Sequence, residues 1–453
     1  MPDKEPVQIE IEDLAFDGKS VGHLNGKVVF CDRGLPGETV LARITRSRAR
    51  YSQAAVEEII SKCTDRREPV CPHVRQCGGC TWQDLIYARQ LACKQQQVVA
   101  CLEHIGGLEN TDVAAIRPCE SEFFYRNKME FSFHVRPDNG FNLGLHRRGR
   151  FDDIFDLTEC HLQSDLSNRI VAWTREFVRS REIPVYDVRD HTGFMRFLVI
   201  REGKRTGQVL VNLVTNVGSM PFKDILVSSM CVEFPQVTTI VQNQTAKKAN
   251  VAVGESEEIL YGPGYIEEEM CGLRFRIMSN SFFQTNSRQA EVLYETGFEL
   301  LQPVSTDRLL DLYCGTGTIG ILAASKVAEV IGVELVPDAI EIARKNSALN
   351  NIGNIAFFQG HVKDVLNSDA LAGQAFDAVV VDPPRAGLHP RAMKRLMRLR
   401  SDKLLYISCN PATFSRDARH IVRQEYSLHR VIPVDMFPQT KHIELAALFQ
   451  RTK

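Results

Sequence analysis

The sequence predicts a multidomain fold: an OB-like β-barrel at the amino terminus, a central α+β domain, and a carboxyl-terminal α/β domain of the Rossmann-like, doubly wound kind. Three observations carry this. Residues 7 to about 62 hold some five short strand-like runs between glycine turns. Residues 124–278 are strand-rich, with hairpin-type breaks. From about residue 307, strand-like runs alternate with helical ones, the signature of a parallel sheet. A chain of 453 residues is long enough for two or three such domains.

In the first region Val7-Gln8-Ile9-Glu10-Ile11 alternates with period two, Gly18, Gly22 and Gly26 mark turns, and Val28–Phe30 is a further strand. Leu35-Pro36-Gly37-Glu38 turns into the strand Thr39–Ile44. Arg43, Arg46, Arg48, Arg50 and Tyr51 follow together; such a basic, aromatic edge on a small barrel suits RNA, and equally an ordinary solvated face. Residues 83–105 read as an amphipathic helix with Leu85, Ala88, Leu91, Val98, Leu102 and Ile105 on its apolar side, ended by Gly106-Gly107. In the middle region Lys128–Val135, Phe197–Ile200, Gln208–Val214 and Leu273–Met278 are strands of a mostly antiparallel arrangement. Asn139-Gly140 reads as a tight hairpin turn and 201–207 as a longer one.

The composition, 44% hydrophobic and 25% charged, is that of a soluble globular protein. A net charge of -1 supplies no global attraction to nucleic acid, so RNA would have to be held by local patches. Arg46-Ser47-Arg48-Ala49-Arg50, Arg147-Arg148-Gly149-Arg150, and Lys394 with Arg395 and Arg398 are candidates. The polar amino terminus and the lack of a bilayer-length apolar run lead to the expectation of a cytoplasmic protein with no membrane partner. Thirteen cysteines without a secretory signal imply a reducing compartment, where clusters serve as metal sites or nucleophiles.

One cluster is Cys71-x5-Cys77-Gly78-Gly79-Cys80. Three thiols on a glycine loop suit a metal centre, with Cys160 as the best fourth ligand. Zinc is the rival; structural zinc sites more often pair two short knuckles, and only one is present, so the spacing favours iron–sulfur. Cys63, Cys93, Cys101, Cys119, Cys231 and Cys271 lack such company and read as core or surface thiols.

The strand Leu309–Tyr313 leads into the turn Cys314-Gly315-Thr316-Gly317-Thr318-Ile319-Gly320. Its glycine spacing matches the dinucleotide fingerprint, so hydride transfer has to be considered. Glu334, at the end of the next strand, would hold ribose hydroxyls with either cofactor. Asp311, just before the turn, would attract the cationic methionine end of S-adenosylmethionine and repel a pyrophosphate, which favours the former.

The strand Phe376–Val381 ends in Asp382-Pro383-Pro384-Arg385, whose prolines stiffen a loop at the sheet's carboxyl edge. Methyltransferases acting on exocyclic amines carry a similar motif followed by an aromatic; here the residue is Arg385. The next strand, Leu404–Ile407, delivers Ser408-Cys409-Asn410-Pro411. A thiol is useful where the carbon to be methylated is not nucleophilic, as at C5 of uracil. Thiolate addition to C6 makes an enolate whose C5 can take a methyl cation, and a base must then remove the C5 proton. Glu444, among apolar neighbours in His442–Leu448, is that base; burial raises its pKa. His442, two residues earlier and on the same strand face, reads as a structural or a catalytic histidine.

Together these motifs resemble the bacterial RNA uracil-5-methyltransferases, nearest the 23S rRNA (uracil-5-)-methyltransferases with an amino-terminal TRAM domain and an iron–sulfur cluster. The resemblance covers about residues 6–450. It implies a TRAM barrel over 6–66 for RNA binding, a central iron–sulfur and RNA-binding domain over 67–90 and 122–276, and a class I methyltransferase domain over 91–121 and 277–453. It implies a 4Fe-4S cluster on Cys71, Cys77, Cys80 and Cys160, and S-adenosyl-L-methionine held by Gln284, Tyr313, Thr318, Glu334 and Asp382, beside Asp311, Gly315 and Gly317. Cys409 matches the nucleophile and Glu444 the base. Where the family often has Asp or Asn near the adenine, this chain has His361. The tRNA-specific relatives usually lack both barrel and cluster, so the resemblance points to 23S rRNA as partner of a monomer, with tRNA as the alternative. An iron–sulfur redox protein and a non-catalytic RNA-binding iron–sulfur protein are the readings from other classes. Methyl transfer from a sulfonium needs no electron, so the cluster is expected to be structural or to position RNA.

Overall fold

The computed structural model describes residues 5–452 apart from 139, 151, 369, 370 and 372. Strands β1 (Val7–Leu14), β2 (Ser20–Leu24), β3 (Lys27–Cys31), β4 (Thr39–Ser47) and β5 (Tyr51–Ser61) close into a barrel in the order β1-β2-β3-β5-β4. Their alternation turns Ile9, Ile11, Val29, Val40, Ala42 and Val56 inward to form its core. Arg66 then ties the barrel to the following segment, bonding to the buried Glu38 at 2.6 Å and to Asp84 at 2.7 Å.

Helix α1 (Tyr87–Cys101) continues through a single wide turn, Leu102–Gly106, to Gly107 in the left-handed region. The helix is where expected, but its buried face is only partly the apolar stripe: Leu85, Val98 and Leu102 are buried. Ala88 and Ile105 are exposed, whereas Gln90, Cys93, Lys94, Gln97, Val98 and Cys101 face inward. The polar members are buried because distant groups satisfy them. Gln90 bonds to the carbonyls of Trp82 and Leu85, Gln97 to that of Leu14, and Lys94 to Asp435 at 2.6 Å.

The central sheet contains β6 (Lys128–Val135), β7 (Phe141–His146), β8 (Ile154–Asp156), β9 (Met195–Glu202), β10 (Val209–Asn216), β11 (Val237–Thr245) and β12 (Ser256–Tyr261), in the order β12-β11-β10-β9-β6-β7-β8. All its pairs are antiparallel except β10–β11. Helices α2 (Asp165–Ser180) and α3 (Lys223–Glu233) pack on it. The Asn139 half of the expected turn lies outside the described residues; the strands flanking it pair with Val135 opposite Phe141. The hairpin β13 (Tyr265–Met270) and β14 (Leu273–Met278) stands apart as a two-stranded sheet.

The last region is the doubly wound sheet. Its strands are β15 (Arg308–Leu312), β16 (Glu329–Glu334), β17 (Ile355–Gln359), β18 (Ala378–Val381), β19 (Lys403–Ser408), β20 (Tyr426–Val434) and β21 (Glu444–Arg451), ordered β17-β16-β15-β18-β19-β21-β20. Six strands run in one direction, as the alternation of elements requires; only β21 is reversed, inserted antiparallel between β19 and β20. Helices α4 (Ser287–Leu301), α5 (Thr318–Ala324) and α6 (Pro337–Leu349) build one hydrophobic core with hairpin β13–β14. Helices α7 (Val362–Val365), α8 (Pro390–Leu399) and α9 (Pro411–Val422) build the other, joined by Val98 and Leu102 from the α1 region. No helix among the described residues is long and apolar enough to cross a membrane.

Candidate active site

The order reverses on either side of β15 and β18, and ligands of such sheets bind beyond the carboxyl ends at that point. A cavity of about 1390 Å³ lies there. Gln284, Tyr313, Gly315, Glu334, His361, Asp382, Cys409 and Glu444 all line it, so the structure brings together eight of the residues singled out in sequence. Asp311, Gly317 and Thr318 do not line it. Asp311 lies inside β15 and is fully buried, its Oδ2 accepting the Gly320 N–H at 2.9 Å. Gly317, at φ 80°, caps α5, and Thr318 opens that helix.

Glu334 ends β16 and accepts the N–H groups of Gly315, Leu335 and Val336, which fixes its carboxylate beside the turn. Tyr313 takes the left-handed conformation, φ 66°, a strained state for a non-glycine residue of the kind that clusters at functional sites. His361 precedes α7 with its side chain exposed.

Cys409 follows the tip of β19, and Glu444 opens β21. Ser408 pairs with Leu445 at the end of the antiparallel ladder, so Cys409 and Glu444 fall opposite each other one position beyond it. Helix α9 starts with Asn410, whose side chain accepts from Ala412 and Thr413 and whose Nδ2 donates to the Arg385 carbonyl at 3.2 Å. The Thr413 hydroxyl donates to the same carbonyl at 3.1 Å, latching the Asp382-Pro-Pro-Arg385 loop to the thiol loop.

The site holds an excess of acid. Burial pushes the Cys409 thiol up to about 11, helped by the negative charges of Glu444 and Asp382 and opposed by Arg385. Burial, then Asp382, holds the Glu444 carboxyl well above its usual range, with Arg385 again opposing. Asp382 is raised to about 7 by burial, and Asp311 to about 7 by burial, then by Asp382 and Glu334. Asp311 Oδ1 is buried with no hydrogen-bond partner among the described residues. Clustered carboxyls with an orphaned oxygen fit a cationic ligand, and the sulfonium and ammonium of S-adenosylmethionine supply such charge.

The four cysteines lie in one neighbourhood, near enough for the charges of Cys160, Cys77 and Cys71 to act on the Cys80 thiol. Cys77, Cys80 and Cys160 are buried and Cys71 is half-buried. Gly79 N–H donates to Cys77 Sγ at 3.3 Å and Gln83 Nε2 to Cys80 Sγ at 3.1 Å. Among the described residues, no group of three or more His, Cys, Asp or Glu side chains is placed to hold a metal ion. Gly78 and Gly79 of this loop reach the wall of the catalytic cavity. Part of the proposed basic surface braces the loop: Arg148 donates to the Cys80 carbonyl at 2.6 Å, and Arg147 pairs with Asp153.

Sequence reasoning left other lining residues without a role: Arg126, Phe282, Arg385, Phe437 and Thr440. Phe282, flanking Gln284 and 69% exposed, was detectable as a large apolar side chain in a polar segment. Arg126 and Phe437 carried no local signal, because they enter from the start of the central sheet and from the loop before β21. His442 lies in that loop, ahead of β21 rather than within it.

A doubly wound sheet with this turn and these strand tips defines a methyltransferase domain. A family model described as tRNA (Uracil-5-)-methyltransferase matches residues 239–452, and one for the TRAM domain matches residues 5–56. An uncharacterised RNA methyltransferase of Chlorobaculum tepidum is 36% identical over 99% of this chain and 96% of its own length. Another from Caldanaerobacter subterraneus is 35% identical over 99% of both chains. The solved Pyrococcus abyssi tRNA (uracil-54, C5)-methyltransferase, in complex with S-adenosyl-L-homocysteine, is 31% identical, with a TM-score of 0.77 over 98% of this chain and 100% of that one. The chain belongs to the RNA (uracil-5-)methyltransferase family that carries a TRAM domain.

Proposed function

We propose that the protein methylates C5 of a uridine in 23S rRNA, with Cys409 as nucleophile and Glu444 as base. The observation that carries this is the meeting of a thiol and a buried carboxyl, opposite each other where the β19–β21 ladder ends, in the cavity that the glycine turn also enters. S-adenosyl-L-methionine, when bound, supplies an electrophilic methyl group. Gln284, Tyr313, Gly315, Glu334, His361 and Asp382, which line the cavity, would hold it, with Asp311, Gly317 and Thr318 shaping the turn behind them. Cys409 adds to C6 of the uracil, which makes C5 electron-rich. After C5 is methylated, Glu444 removes its proton, the pair re-forms the C5–C6 double bond, and the thiolate leaves.

The choice of 23S rRNA rests on the pairing of a barrel with a four-cysteine loop, the combination the resemblance implies for rRNA enzymes. tRNA is the second reading: the Pyrococcus enzyme spans this chain from the barrel onward, so the barrel alone does not separate the two substrates. Residues 91–121 are assigned to the methyltransferase domain. Supporting this, Val113 and Arg117 bridge to Val431 and Val434 of β20. Cys71, Cys77, Cys80 and Cys160 would hold a 4Fe-4S cluster that stiffens the loop beside the cavity; N–H donors aimed at two of the sulfurs suit cluster thiolates.

The test uses RNA from a deletion strain. Mass-spectrometric mapping should find one 5-methyluridine missing from 23S rRNA and restored by the purified protein with S-adenosyl-L-methionine. Restoration in tRNA alone would move the target to the second reading. A Cys409→Ala variant that still restores the modification would end the covalent mechanism.

A further inference from the structure

Thiolate addition to C6 moves electrons through C5 and C4 onto O4 of the uracil. Enolate formation therefore calls for a hydrogen-bond donor at that oxygen. The carboxyls of Asp382 and Glu444 are poor candidates when ionised. The loop before β21 offers another group. His442 lines the same cavity as Cys409 and Glu444. Arg385 lies 2.7 Å from its Nδ1. A guanidinium can only donate, so Nδ1 must accept, and the ring proton sits on Nε2. No hydrogen bond from Nε2 to another described residue is present. The ring is held by an edge-to-face contact with Phe437 at 6.2 Å, and its backbone N–H bonds to Thr440 Oγ1 at 3.2 Å.

Resting on the uracil reading above, we propose that neutral His442 donates its Nε2–H to uracil O4 and stabilises the enolate formed by Cys409, with Arg385 fixing the tautomer. The sulfur pair forms the S–C6 bond, the C5–C6 π pair moves to C4–C5, and the carbonyl π pair moves to O4. His442 transfers no proton. The pair returns from O4 as C5 bonds to the methyl group. Burial, then the positive charges of Arg385, Lys441, Lys94 and Arg126, keep the imidazole neutral by lowering its pKa to about 4. A neutral donor of this kind avoids forming an ion pair with Cys409 before substrate arrives. The same N–H would oppose the amino group that cytosine carries at C4, so the contact also selects for uracil.

The experiment follows tritium release from C5 in [5-³H]uridine-labelled RNA from a deletion strain, using the full-length protein. Removing one such donor is expected to lower kcat about 100-fold, with KM for RNA changed by less than about threefold. His442→Ala should show this loss. His442→Gln, whose amide can donate, should recover at least about tenfold of it. His442→Leu fills the ring's space without donating and takes the place of the alanine variant should that one fail to fold. S-adenosylhomocysteine binding at the wild-type level confirms an intact site in each variant. A donor-less variant with kcat within about threefold of wild type, or a glutamine variant no better than a donor-less one, overturns the assignment. Cys409→Ala separates the two readings. If it is inactive while His442→Ala is normal, the His442 role alone fails; if it still turns over, the covalent reading fails and takes this role with it.

Discussion

Replacing Glu444 by glutamine keeps the side chain's size and removes its ability to take a proton. Glu444 is 5% exposed between Ile443 and Leu445, at 1% and 0%, so bulk water cannot readily substitute for it. General-base removal then costs about 10²–10⁴ in turnover, or about 2.7–5.5 kcal/mol of barrier. The upper part of that range is expected here because the carboxyl itself is buried. Addition by Cys409 and transfer of one methyl group need no base, so the variant should stop as a covalent, methylated protein–RNA complex. A denaturing gel with label in the methyl group should show a burst approaching one methyl per protein and then no turnover. Stability should move the other way. A carboxyl whose folded pKa is raised contributes stability at low pH that is lost as pH rises, so the neutral glutamine should raise the unfolding midpoint at pH 8. Glu444→Gln turning over within about tenfold of wild type, or accumulating no complex, would refute the assignment.

Because burial and its acidic neighbours hold the Cys409 thiol near 11, kcat/KM should rise about tenfold per pH unit between pH 7 and 10, and Arg385→Met should lower it at every pH in that window. Stopped-time methyl transfer across that range checks both. Lys94→Met leaves the buried Asp435 charge unpaired and should destabilise the protein by about 3–5 kcal/mol in urea unfolding, with most of the loss recovered by adding Asp435→Leu. Gly317→Ala would force an L-residue to φ 80° with its Cβ 3.0 Å from Ala343 and Phe357. A strain of about 1–2 kcal/mol should weaken S-adenosylhomocysteine binding about five- to thirtyfold by calorimetry.

Much of the chemistry was legible because each reacting group follows a strongly apolar strand. Cys409 after Leu404–Ile407 and Asp382 after Ala378–Val381 could be placed at a sheet edge from hydropathy alone. The α1 face was not legible. Gln90 and Lys94 look like solvated positions until their partners in the 435–439 loop, some 340 residues away in sequence, are folded against them. The reversal of β21 was hidden for a similar reason, since a strand buried on both faces carries no mark of its direction. Asp311 was expected beside the glycine turn; that the Gly320 N–H would claim one of its oxygens and leave the other unpartnered had no local signal. The Arg385–His442 bond joins two loops 57 residues apart, and neither residue's local pattern announces the other.

The antiparallel ladder between β19 and β21 has a consequence for how such proteins diversify. Thiol and carboxyl sit where the backbone bonds of that ladder end, which leaves little room for drift, while the barrel, the cysteine loop and the central sheet are built on separate strands. Exchange or remodelling of those outer parts can proceed without disturbing the register that sets thiol opposite carboxyl. Innovation in target choice is thereby decoupled from the reacting pair.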